Sequence, residues 1–151
     1  NRRYLPVATM DPGTIISNKV YGAVDPSGFI FAIASSSMFI TWMKTVGGRL
    51  KSDISFSSTI TWNNFPLPDL DETTKKRIAD AGKKVLIARA EFPDRSLAQL
   101  YSARIMEPKL IKAHDALDRE VDKAFGAPRK LTTERQRQEL LFSNYAKLTN
   151  N

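Results

Sequence analysis

Ile54-Ser55-Phe56-Ser57-Ser58-Thr59-Ile60-Thr61-Trp62 is the stretch on which the fold class turns. In an extended chain Ile54, Phe56, Ile60 and Trp62 share one face and the hydroxyl residues mostly take the other, the pattern of a half-buried strand. Asn63-Asn64-Phe65-Pro66-Leu67-Pro68 closes it, because two prolines forbid a continuing helix or central strand. Working upstream, Ser35-Ser36-Ser37 supplies caps for a helix over about Met38–Val46, ended at Gly47-Gly48. Phe29-Ile30-Phe31-Ala32-Ile33 is open between strand and buried helix on periodicity alone. Thr14–Val24 alternates loosely between Gly13 and Asp25-Pro26, and Arg3–Ala8 is extended, with Pro6 marking an edge or an end. Residues 1–68 are therefore expected to be mixed α/β.

Downstream the period changes. Ile78, Ala81, Val85, Ala88 and Phe92 recur at spacings of three and four, predicting a helix over about Asp71–Glu91. Asp94-Arg95-Ser96-Leu97 is a loop leading into a short helical turn through Tyr101. Pro108 opens a second long helix striped by Leu110, Ala113, Leu117, Val121 and Ala124, with Gly126 as its terminator. Thr133 with Gln136 is a capping-box pattern for a third, seamed by Leu141, Tyr145 and Leu148. The expected class is α+β: a mixed half over 1–68, then a three-helix bundle over 69–151.

The chain has 151 residues, 42% of them hydrophobic, enough for a packed core. Its 23 Lys and Arg against 16 Asp and Glu give a net charge of +7, which favours a polyanionic partner, nucleic acid before membrane. The apolar run Phe29–Met43 is broken by three serines and Thr41 and is shorter than the roughly 20 residues of a spanning helix, so no membrane partner is expected. The absence of cysteine removes disulfides, thiolate nucleophiles and cysteine-ligated zinc, and agrees with a cytoplasmic location. Asn1, with no signal-like stretch after it, suggests a piece of a longer chain.

Catalytic chemistry has little to draw on. The single histidine, His114, sits on the second long helix beside Asp115 and is read as structural. Asp115, Asp118 and Asp122 are read as a solvated face paired with Lys and Arg. The glycines form no phosphate-cradling loop. No catalytic or metal residues are assigned. Trp42 and Trp62 are assigned to packing, and Arg2-Arg3, Lys19, Lys75-Lys76-Arg77 and Lys83-Lys84 to solvated surface. The informative cluster is Lys44, Arg49 and Lys51 around Gly47-Gly48, with Ser52, Ser55, Ser57 and Ser58 close by. Arg, Lys and Ser grip phosphate oxygens, and Arg also reads guanine with two hydrogen bonds. An exposed basic loop with no partner remains open on spacing alone.

Several of these runs together resemble a known family. Ser36-Ser37-Met38-Phe39 to Trp42, then Gly48-Arg49-Leu50-Lys51-Ser52-Asp53, then Asn63-Asn64-Phe65-Pro66-Leu67-Pro68 look like the end of the target-recognition region of MmeI-like (type IIL) restriction–modification enzymes and their DNA methyltransferase relatives. Arg2-Arg3-Tyr4-Leu5-Pro6 fits the same region. The likeness continues through Leu86–Ala90, Ser96–Tyr101, Leu110–Asp118 and Leu140-Leu141-Phe142 with Tyr145. The resemblance implies that residues 1–68 are the later part of a target-recognition domain and 69–151 a C-terminal helical domain. It implies a parent that transfers a methyl group from S-adenosylmethionine to adenine in double-stranded DNA. This chain is then a non-catalytic part that recognises the target, partnered by DNA and by the parent's catalytic domain. Asn64-Phe65-Pro66 does not match the methyltransferase signature, so the catalytic and cofactor motifs are expected elsewhere in the parent. The recognition side chains implied are Lys44, Arg49, Lys51 and Ser52, joined by Ser37, Phe39 and Thr41 from the preceding helix. The alternative is a helical docking module within a restriction–modification complex.

Overall fold

In the computed structural model residues 2–50 and 53–150 are described, the side chains of Arg49, Leu50 and Asp53 excepted. The backbone order is α1 (Phe29–Ser35), α2 (Ser37–Val46), β1 (Arg49–Leu50), β2 (Asp53–Ile54), a π-helical turn (Ser58–Trp62), α3 (Glu72–Ala90), α4 (Leu97–Leu100), α5 (Pro108–Ala124) and α6 (Glu134–Thr149). The expected α+β class is overturned. The strand content among the described residues is one antiparallel ladder of two residues a side, Arg49↔Ile54 and Leu50↔Asp53. The molecule is helical.

The missing strands fail for want of partners. A strand satisfies its N–H and C=O groups only across a ladder, whereas a helix satisfies them within itself. Arg3–Ala8 is irregular; its Val7 carbonyl accepts from the Arg89 guanidinium at 2.6 Å, a helical residue rather than a strand. Thr14–Val24 alternates with no strand beside it among the described residues; Tyr21 meets Phe56 edge-on at 4.8 Å, but Ile15 stays 96% and Val24 90% exposed. In the deciding stretch hydroxyls take over the backbone bonding that a ladder would have supplied. The Ser57 hydroxyl accepts from the Ile60 N–H at 3.2 Å and the Thr61 hydroxyl from the Ser57 N–H at 3.1 Å. These bonds wind Ser58–Trp62 into the π-helical turn. The indole N–H of buried Trp42 donates to the Thr61 carbonyl at 2.9 Å and pins that turn to α2.

Phe29–Ser35 resolves as helix. The Asp25 carboxylate accepts from the N–H groups of Ile30 and Phe31 at 3.2 and 2.8 Å, satisfying donors that a helix start leaves open. Ser36 is extended and caps α2 through its hydroxyl, which accepts from the Phe39 N–H. The two helices meet at 61°, and no single helix among the described residues is long and apolar enough to cross a membrane.

The helical half follows its caps and stripes. Asp71 caps α3, Ser96 and Gln99 form a capping box on α4, and Thr133 and Gln136 form another on α6. α3 buries Ile78, Ala81, Val85 and Ala88; α5 buries Leu110, Leu117 and Val121 against it in the largest interhelical contact. Gly82 lets α1 lie on α3: a Cβ there would come within 2.7 Å of the Ala32 Cβ. The three-helix bundle is a second correction. α6 lies mainly along α2 and meets α5 through Arg137, burying Leu141 while Tyr145 and Leu148 stay 38% and 53% exposed. One hydrophobic core draws on both halves, from Tyr4 and Phe31 to Val121 and Leu141.

Candidate nucleic-acid interface

α2 and the hairpin after it carry the sequence-predicted DNA contacts, and the structure divides them by the direction they face. Phe39 is fully buried, edge-on to Trp62 and Phe65 with ring centroids 5.3 and 5.2 Å away. Thr41 is 2% exposed. Both offer a duplex almost no surface, and their place on the inner side of an amphipathic helix is the reason. Ser37 is committed elsewhere: its N–H and hydroxyl donate to the two Asp118 oxygens at 2.7 and 2.6 Å. Lys44, in the last turn of α2, faces a cleft and pairs with Glu134 at 3.1 Å.

The hairpin begins where α2 stops. The Gly47 N–H closes the helix on the Met43 carbonyl at 2.9 Å, and the Ser55 N–H returns to the Gly48 carbonyl at 2.9 Å. A Cβ at Gly47 would lie 2.4 Å from the Met43 carbonyl oxygen and 3.0 Å from that of Ser55, so glycine is what lets the returning arm approach this closely. Arg49 enters the ladder at its start. Lys51 and Ser52 lie outside the described residues.

Two adjoining cavities border Lys44. One, of about 380 Å³, is lined by Arg3, Lys44, Arg119, Lys130 and Arg137 and by the carboxylates of Asp115, Asp118, Asp122 and Glu134, among others. The second, of about 340 Å³, is lined by Arg2, Arg3, Lys44, Ser102, Ala103, Arg104, Met106 and Ile111. Arg3 and Lys44 belong to both. Sequence reasoning missed Arg104, Arg119 and Lys130 as members of this surface, since they come from loops and a helix far along the chain.

The floor of the larger cavity corrects the reading of the α5 carboxylates. Asp118 and Asp122 are buried, at 6% and 4% exposure. Arg137 of α6 grips Asp122 with two bonds, Nε–Oδ1 at 3.0 Å and Nη2–Oδ2 at 2.8 Å, and lies 3.9 Å from Asp118. Burial pushes Asp118 up to about 6 against the pull of Ser37 and Arg137. Asp122 is raised by the same cause, opposed by Arg137. The signal was present in the sequence: Asp118 and Asp122 follow Leu110 and His114 at helical spacing and fall near the apolar stripe. Asp115 alone keeps the surface role, pairing with Arg3 at 3.1 Å.

His114 occupies a second buried polar cluster. Its Nε2 lies 2.7 Å from the Tyr101 hydroxyl, which also accepts from Arg89 Nε at 2.8 Å. Tyr4 stacks on the imidazole with centroids 4.0 Å apart. Burial, with the nearby Arg89 charge, depresses His114 to about 3, so it is a neutral ring that fastens the amino-terminal segment to α5. Its part is packing.

Residues 1–69 match the family described as MmeI, target recognition domain, and residues 70–151 the family described as MmeI, C-terminal domain. DNA methyltransferase A of Bacillus subtilis (strain 168) is 34% identical over 149 residues, covering 99% of this chain and 17% of its own. A solved structure of the type IIL restriction–modification enzyme MmeI in complex with DNA superposes with a TM-score of 0.78 at 39% identity, over 82% of this chain and 16% of its own. The chain thus spans about a sixth of the length of these relatives. By the match that covers its whole helical half, and by the one that covers the rest, the chain belongs to the MmeI family.

Proposed function

We propose that this chain is the target-recognising, non-catalytic part of a restriction–modification DNA methyltransferase, holding double-stranded DNA while chemistry proceeds elsewhere in the parent. The observation that carries this reading is the end-to-end match to a target recognition domain and a C-terminal domain, with a likeness to an enzyme solved on DNA. The hairpin after Gly47-Gly48 and the cationic cleft beside it support the same assignment. Lys44, Arg49, Lys51 and Ser52 are its reading and gripping residues. Ser37, Phe39 and Thr41 then serve as the scaffold behind them.

The parent is proposed to methylate adenine with S-adenosylmethionine in the cytoplasm. The chain's own residues do not fit that cofactor: the larger cavity is lined largely by ion-paired charges, the smaller by cations without a carboxylate, and the glycines make no cradling loop. No step of methyl transfer is therefore assigned to it. A second contact, with the catalytic domain of the parent, is favoured by the exposed apolar side chains of Ile15, Val20, Tyr21 and Val24.

A labelled duplex titrated with the chain at several salt concentrations tests the reading. Affinity should fall steeply as salt rises, because bound cations release phosphate counterions. Arg49→Ala should cost roughly 1–3 kcal/mol on a target duplex if it makes a two-bond base contact. Salt-independent association with the catalytic domain, with no binding to any duplex, would move the docking-module reading into first place.

A further inference from the structure

The two cavities that meet at Arg3 and Lys44 differ in electrical character. In the larger, the cations stand among four carboxylates: Lys44 against Glu134, Arg3 against Asp115, Arg137 against Asp118 and Asp122. The smaller is lined by Arg2, Arg3, Lys44 and Arg104 and by no carboxylate. The guanidinium groups of Arg2 and Arg104 make no ion pair or hydrogen bond among the described residues. Each guanidinium carries five N–H donors in a planar fork suited to the oxygens of a phosphate. Ser102 adds a hydroxyl at the same rim. Lys44 joins this cavity to α2, five residues before Arg49 at the start of the hairpin.

We propose that Arg2 and Arg104, with Arg3 and Lys44, form a phosphate-binding site that grips the DNA backbone beside the stretch read by the hairpin. The site is built from three places: the amino-terminal segment, the end of α2, and the loop between α4 and α5. It gives the C-terminal domain a direct contact with DNA. It rests on the DNA-recognition reading above and deepens it by naming residues that read no sequence. Held phosphates set register and orientation, while discrimination between bases stays with the hairpin.

The test is anisotropy of the 151-residue chain against a random duplex and a target duplex across a salt series, with Arg2→Gln/Arg104→Gln compared to wild type. Both positions are exposed, so circular dichroism and the unfolding midpoint should not move. The expected result is weaker binding to both duplexes by a similar factor, with the slope of log affinity on log salt reduced by roughly 1–2, about 0.9 for each phosphate lost. An unchanged slope and affinity, in a wild type that binds with ordinary salt dependence, overturns the phosphate site and leaves DNA recognition standing. Loss of discrimination with an unchanged slope also overturns it, because the arginines would then be reading bases. A wild type that binds no duplex at low salt overturns both proposals together.

Discussion

Residues 54–62 and residues 72–90 both show a hydrophobic rhythm, and only the second became the element that its rhythm predicts. The difference lies in where each element finds its hydrogen bonds. A helix over 72–90 closes its bonds internally, so a stripe of Ile78, Ala81, Val85 and Ala88 and a cap at Asp71 suffice. A strand over 54–62 needs a neighbour, and the hairpin offers two residues a side before its partner runs out. Serine and threonine hydroxyls then satisfy the backbone locally, and the stretch coils. Period-2 alternation reports a preference whose fulfilment is decided elsewhere in the molecule.

The sharpest way to test the helical side of that contrast is its buried charge. Arg137→Ala would leave Asp118 and Asp122 without their cation in a site nearly closed to water, and should cost about 3–5 kcal/mol in urea unfolding. A loss below about 1 kcal/mol would mean that the carboxylates reach solvent, as a surface face would. Phe39→Ala should cost a comparable ~3–5 kcal/mol through its cavity, since the ring is fully enclosed. If instead the fold is unmoved and only DNA affinity drops, the ring is a contact and not part of the core.

His114 sharpens the comparison through pH. Its folded state holds the proton less tightly than an unfolded chain does, at about 3 against 6.5. The unfolded chain therefore binds more protons in that window, and the histidine's contribution is lost as pH falls below about 6. Asp118 runs the other way: raised to about 6 from 3.8, it favours the fold at low pH and loses that contribution as pH rises from about 4 to 6. In wild type the two slopes oppose. His114→Gln should cost about 1–3 kcal/mol near neutrality by disturbing the Tyr101 bond. The gap to wild type should then narrow by up to ~1.4 kcal/mol for each pH unit below about 6. A gap that is constant from pH 7 to pH 4 would show that the imidazole titrates normally and is not sealed.

Much of the helical half was legible because each signal acted over a few residues. Pro108 opened α5, Thr133 with Gln136 capped α6, Ser96 started α4, and Gly126 at φ 96 stopped the chain after α5. What stayed hidden was long-range. Nothing near Asp118 announces Arg137, nineteen positions on, nor Ser37, which meets it from 81 residues away. The cleft was half legible for the same reason: Lys44 stands out in the sequence, while Arg2, Arg104 and Arg119 join it only after folding. Helix α6 shows the limit of a stripe. Leu141, Tyr145 and Leu148 mark an apolar side, but the width of what covers it depends on a partner, α2, that belongs to the other half.

The smallest expected effect breaks the comparison most cleanly, because it asks whether alternation alone ever carries stability here. Ile15 and Val24 sit in the segment read as a strand, yet are 96% and 90% exposed among the described residues. Ile15→Ser and Val24→Ser should each move stability by no more than about 0.5 kcal/mol, in contrast to about 2–5 kcal/mol for Leu117→Ala on α5. Apolar side chains left in water gain nothing from folding, since the area they would remove from water is not removed. The same two substitutions should weaken association with the catalytic domain of the parent if that domain covers the segment. A drop of 2 kcal/mol or more in the isolated chain would instead mean that residues 14–24 find a partner within it, and that the strand pattern was reporting a real contact.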